Sequence, residues 1–314
     1  MQPRNDAGVN KFSTVPQPGS IGCWVLAIRP RTLAVGLVPV VLGTALAAME
    51  NAVHMVAALA ACGGALAIQI GSNLVNDYAD AKKGADGQDR LGPIRVTSAG
   101  LLPASAVWRA ALFAFGFAAL LGLYLIFRGG WPIFWIGVFS IFFGIIYTAG
   151  PAPLAYLGLG DFAAFFFFGP VATAGTFYVQ TLVFSPQVVL LGFAPGLFSV
   201  ALLAINNLRD RATDERAGKK TLAVRFGERF ARMEVVACLL LAPMVPLMVL
   251  GRISQDWSLR TGLLAIGGVL LALPVILPVL QGATGRPLNL LLGRTARAAL
   301  GFCLLFVFLL LWLP

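Results

Sequence analysis

The stretch SNLVNDYADAKKGADGQDR, residues 72–90, ends an apolar run and then gathers charge. It carries four aspartates, Asp77, Asp80, Asp86 and Asp89, in a chain with only 13 acidic residues. The run leading into it is long and apolar enough to cross a bilayer, for which a helix uses about 20 residues. The stretch therefore reads as the polar end of a membrane span. Because carboxylates are scarce here, their grouping at that end is the first sign of a site.

The rest of the chain agrees. Hydrophobic residues make up 59% and charged residues 11%, with mean hydropathy +0.86. Soluble domains sit near about 45–50% apolar and about 25% charged. Only helices and closed barrels satisfy the backbone in lipid, and these runs have helix length, so an all-α polytopic membrane protein is expected. Nine spans are expected, near 31–49, 53–78, 104–127, 131–149, 160–183, 187–208, 230–250, 260–281 and 296–313. They make one bundle over 21–314. Residues 1–20 are polar, contain Pro and Gly, lack a signal peptide's apolar core and read as a flexible tail. Pro195, Pro243, Pro246, Pro274 and Pro278 imply kinked spans.

A formal charge of +10 raises the possibility of a nucleic-acid partner, but the placement of the charge explains it otherwise. With the N-terminus on the cytoplasmic side, only Arg128, Arg252 and Arg260 of the 23 basic residues fall in outside segments. That asymmetry is the positive-inside pattern of an N-in, C-out protein, so no nucleic acid is needed to account for it. Cys23, Cys62, Cys238 and Cys303 share no metal or redox spacing, and His54 is the only histidine. Chemistry that needs a histidine base, a histidine-bound metal or a Ser-His pair is unsupported.

The second and sixth spans end on the same side, each in a polar cluster. Asn76 and Asp80 are four residues apart, as are Asn206, Asp210 and Asp214, so each set shares one helical face. Asp86 falls off that face, but Gly84 lets the chain turn and bring it back. The two copies are offset by 130 residues, which suggests a weak internal repeat. Crowded carboxylates need a cation between them, and carboxylate and amide oxygens suit Mg²⁺ or Ca²⁺. Two such faces converging would clamp a diphosphate through bridging metals. Lys82, Lys83, Arg90, Arg95, Arg209, Lys219 and Lys220 flank the clusters and can take the remaining negative charge. Asp77 matches no position in the second copy.

These motifs, Asn76-x-x-x-Asp80-x-x-x-x-x-Asp86 and Asn206-x-x-x-Asp210-x-x-x-Asp214, resemble the paired aspartate-rich motifs of the UbiA superfamily of intramembrane prenyltransferases. NDYADAKKGADGQDRLGPIR, WVLAIRPRTL at 24–33, YTAGPAPLAYLGLGD at 147–161 and INNLRDRATDERAGKKTLAVRFG at 205–227 are most similar to the MenA branch of menaquinone synthesis. The resemblance implies a polyprenyl diphosphate donor, Mg²⁺, and 1,4-dihydroxy-2-naphthoate as aromatic acceptor, prenylated with loss of CO₂. It implies Mg²⁺ ligation by Asp80, Asp86, Asp210 and Asp214, with Asn76 and Asn206 beside them, in a bacterial inner membrane with the site facing the cytoplasm. Tyr147 is expected to bind diphosphate or acceptor and Asp161 to orient the acceptor, or else to act as an interfacial anchor and a helix cap. Ala155 stands where some members carry a lysine, leaving Arg29 or Arg209 as substitutes. Phe165–Phe168 are expected either to offer aromatic faces to the isoprenoid tail or its cation, or to face lipid and packing neighbours. Within the superfamily, 4-hydroxybenzoate or haem is the rival acceptor. Outside it, a transporter with intramembrane carboxylates is the rival, against which the placement of the clusters at helix ends argues.

Overall fold

The computed structural model describes residues 15–84, 91–251 and 255–311. The first helix, α1 (Ile21–Ile28), is short and stops at Arg29, which adopts a left-handed φ of 58°. The next residue is Pro30, and proline disfavours helical geometry in the residue before it. The chain breaks there and restarts as α2 (Pro30–Met49), with Pro30 at its first position, where no N–H is required. Then follow α3 (Met55–Lys82), α4 (Ala104–Gly129) and α5 (Trp131–Ile146). A loop with the single turn α6 (Leu154–Leu157) leads to α7 (Gly160–Phe166), a π-helical turn Phe167–Val171, and α8 (Ala172–Thr181). The remainder is α9 (Pro186–Leu191), α10 (Phe193–Arg216), α11 (Leu222–Leu241), α12 (Val245–Val249), α13 (Gln255–Leu280) and α14 (Leu288–Leu311).

Among the described residues, eight helical stretches are long and apolar enough to cross a membrane, and α5 is a shorter apolar helix of 16 residues. Together they match the nine expected segments, but the helices run past the apolar stretches. α3 continues to Lys82 and α10 to Arg216, while α14 begins at Leu288, eight residues before the expected 296. Hydropathy locates the part of a helix that lies in hydrocarbon, whereas these extra turns project beyond it and carry the polar residues. Prolines act according to position. Pro195 is in the first turn of α10, where it is tolerated, while Pro243 and Pro246 coincide with a 3₁₀ turn and the restart at α12. The π-helical turn is at Gly169-Pro170, where Gly169 has φ −120° and ψ −106°. A Cβ at Gly169 would lie 2.6 Å from the Gly192 carbonyl and 2.8 Å from the Gly196 Cα, so three glycines let this turn cross the start of α10.

Two apolar clusters organise the bundle. One joins α2 with α8–α14 around Phe198, Phe302, Phe306, Leu239 and Leu264. The other joins α1, α3 and α4 with the 96–102 turn around Leu74, Val75, Val96 and Phe115. Between them lies a cavity of about 590 Å³ with walls from α2, α3, α4, α5, α7, α8 and α10. Residues 1–14 lie outside the described residues; nearer α1, the Gly19 N–H donates to the Leu101 carbonyl at 2.9 Å.

Candidate active site

One end of the cavity is polar because the last turns of α3 and α10 meet there. Along α3, Gln69, Ser72, Asn73 and Asn76 line the wall at spacings of three and four, so a polar stripe runs down an otherwise apolar helix. Asn76 Oδ1 accepts from the Arg29 guanidinium at 3.2 Å, and Asn73 Nδ2 donates to the Ile28 carbonyl at 2.9 Å. The break at Arg29-Pro30 thus places a cation beside the end of α3. From α10, Asn206, Asn207, Asp210 and Asp214 line the same cavity.

Asp80 lies behind the wall, 0% exposed. Its Oδ2 accepts from Arg95 at 3.0 Å and from Lys219 at 3.3 Å, while its Oδ1 has no hydrogen-bond partner. The Lys219 ammonium also lies 3.6 Å from Asp214, so one cation bridges a carboxylate of α3 and a carboxylate of α10. Asp210 is held by both arms of Arg209, at 2.8 and 2.5 Å. Three carboxylates therefore face three cations, a balance that burial requires.

Asp77 has a role that its spacing did not reveal. It is 1% exposed and accepts from the backbone N–H groups of Val96 at 3.2 Å and Thr97 at 2.9 Å. It ties down the turn that follows Arg95 and so holds that guanidinium on Asp80. No periodic signal marks such a role, because its partners are backbone amides 19 and 20 residues away.

The other expected site residues separate into those on the cavity and those off it. Arg95, Arg209, Lys219 and Tyr147 line the cavity. The Tyr147 hydroxyl lies within hydrogen-bonding reach of ligands in the cavity it lines. Asp161 is buried just off the wall, with Oδ1 unpartnered. Lys82 and Lys83 are exposed and off the wall; Lys83 donates to the Thr148 carbonyl at 3.2 Å and sits 4.2 Å over the Tyr156 ring. Partial desolvation lowers the Lys83 pKa, against the pull of Asp80 and with the push of Lys219. Ala155 is on the wall, and the cations sharing it are Arg29, Arg95, Arg209 and Lys219. Of the four phenylalanines, Phe167 and Phe168 line the cavity, while Phe165 packs on Phe193 and Phe166 stacks on Phe162. Asp86 and Arg90 lie outside the described residues.

Beyond the polar end the wall turns apolar, with Val40, Leu125, Ile126, Ile133 and Val179. Past Val179, Arg128 donates to the carbonyls of Val179 and Gln180, which end α8. Among the described residues no group of three or more His, Cys, Asp or Glu side chains is arranged as a metal cage. The donor set nonetheless suits a hard cation shared with a substrate, which needs only one or two carboxylates. Asp80 Oδ1 is an open buried acceptor, and an ammonium already stands between Asp80 and Asp214.

These features define a polytopic α-helical membrane protein with an interior cavity, charged and amide-lined at one end and apolar at the other. The chain belongs to the UbiA prenyltransferase family, whose model matches residues 36–281. It is 38% identical to the 1,4-dihydroxy-2-naphthoate octaprenyltransferase of Mycobacterium tuberculosis, over 91% of this chain and 95% of that one. It is 36% identical to the protein of the same name from Escherichia coli, over 90% of this chain and 93% of that one. Its fold is similar to that of a UbiA homolog from Archaeoglobus fulgidus bound to GPP and Mg²⁺, with TM-score 0.62 and 13% identity, covering 90% and 98% of the two chains.

Proposed function

We infer that this chain transfers a polyprenyl group from polyprenyl diphosphate to 1,4-dihydroxy-2-naphthoate, releasing diphosphate and CO₂. The observation that carries this reading is one continuous cavity with two chemically opposite ends. Its charged end suits a diphosphate, and its apolar end suits an isoprenoid chain. The named relatives, similar over nine-tenths of the chain, supply the acceptor.

Asp80, Asp210 and Asp214, with Asn76 and Asn206, would hold Mg²⁺; Asp86 is proposed with them from its motif alone. When bound, Mg²⁺ supplies a Lewis acid that draws charge onto the departing diphosphate. Arg29, Arg95, Arg209 and Lys219 sit around the same end and stabilise the leaving group's negative charge. The Tyr147 hydroxyl, on the cavity wall, donates a hydrogen bond to the diphosphate or to an acceptor oxygen. Phe167 and Phe168 present aromatic faces below, where an allylic cation forms with water excluded. The acceptor ring carbon that carries the carboxylate attacks this cation. A C–C bond forms and CO₂ leaves with its bonding electrons returned to the ring. The basic residues gathered at the charged end support a site that faces the cytoplasm, and the bacterial relatives support an inner-membrane location.

The test incubates membranes containing the protein with Mg²⁺, one polyprenyl diphosphate, and either the naphthoate or 4-hydroxybenzoate. A product with the mass of the decarboxylated prenyl naphthoate is expected, lost on Asp80→Ala with the protein still inserted. Prenylated 4-hydroxybenzoate with no naphthoate product would overturn the acceptor.

A further inference from the structure

Asn289, the second residue of α14, comes from a part of the chain whose sequence offers little beyond hydrophobicity. Its side chain makes no helix cap. Its Oδ1 accepts from Arg209 Nη1 at 2.7 Å, and its Nδ2 donates to the Leu91 carbonyl at 2.9 Å. One amide thus spends its acceptor on α10 and its donor on the strand of chain that follows the first aspartate motif.

The chemistry of Arg209 gives this contact its meaning. The residue is 5% exposed, and its guanidinium is fixed from three directions: Nε and Nη2 on Asp210, Nη1 on Asn289. If Asp210 turns to a cation, Arg209 loses two of those anchors. The third is a neutral oxygen that competes with no metal and adds no negative charge against a diphosphate. A carboxylate in its place would hold Arg209 but repel the ligand. We propose that Asn289 is a positioning residue that keeps the Arg209 guanidinium on the cavity wall while Asp210 exchanges partners, so that Arg209 stays available to the diphosphate. This rests on the diphosphate reading of the site, but not on the identity of the acceptor.

The experiment measures binding, without turnover. Purified protein is titrated with inorganic diphosphate at fixed Mg²⁺, and affinity is read from the shift in melting temperature. Four forms are compared: wild type, Asn289→Ala, Arg209→Gln and the double variant. Asn289→Ala is expected to weaken binding about tenfold in the wild-type background, the scale of one hydrogen bond to a charged group. In the Arg209→Gln background it is expected to change affinity by less than about twofold, because the two residues act as one unit. Equal losses in both backgrounds, or no loss in either, would overturn the proposal. If Asn289→Ala does not accumulate, Asn289→Ser removes the same reach, with the same expected pattern. Absence of any Mg²⁺-dependent diphosphate binding by wild type would instead refute the diphosphate reading itself.

Discussion

At the scale of single residues, neighbouring aspartates on α3 do different work because they face different partners. Asp77 accepts from two backbone N–H groups and holds a turn; Asp80 accepts from two cations and keeps one oxygen unpartnered. Removing the first leaves the buried Val96 N–H and the half-buried Thr97 N–H without their carboxylate partner and frees the segment that delivers Arg95. Asp77→Ala is therefore expected to destabilise the protein by about 3–6 kcal/mol, since each of the two hydrogen bonds to its charged carboxylate is worth about 1.5–3 kcal/mol. Thermal unfolding in detergent measures this, and a melting temperature equal to wild type would sink the assignment. Asp80→Ala leaves that turn intact but removes the buried carboxylate that Arg95 and Lys219 share, so it should lose activity and stability together.

At the scale of helices, the cavity is cut by glycines as much as by large side chains. Gly64 on α3 is buried and lines the cavity, and a Cβ added there meets no atom within 4 Å. The space that side chain would enter is the cavity. Gly64→Phe should fold, since its first added carbon meets no neighbour, yet it would occupy the room of an isoprenoid unit or two. Competition between short and long polyprenyl diphosphates is the measurement. The variant should favour the shorter donor by at least about tenfold, roughly the 1–3 kcal/mol of a pocket change of this kind. An unchanged preference would show that the chain runs elsewhere. Gly169 is the contrasting case: its added carbon would meet the backbone of Gly192 and Gly196, so substitution there should disturb packing and leave donor preference alone.

At the scale of the molecule, the bundle and the shared face of the second motif were legible because each rests on local regularity. Apolar runs gave nine segments, and four-residue spacing put Asn206, Asp210 and Asp214 on one wall of the cavity. The first motif is split, with Asn76 on the wall and Asp80 behind it, and what was not legible depends on contacts between distant parts of the chain. Asp77 reaches 19 residues forward, Asn289 reaches back 198 residues to Leu91, and Lys219 joins Asp80 across 139 residues. The same non-local closure gathers the loops after α3, α5 and α10 at one end of the bundle, with Lys83, Arg95, Lys219 and Lys220. Arg128 is at the opposite end. The positive-inside pattern supports the proposal that the site end faces the cytoplasm. Two exposed positions test it: Glu50, after α2, and Lys220, after α10. In spheroplasts of an expressing bacterium, a membrane-impermeant maleimide should label Glu50→Cys at once, in a background lacking the four native cysteines. Lys220→Cys should label only after the membrane is permeabilised. The reverse order would place the site end outside and overturn the cytoplasmic orientation.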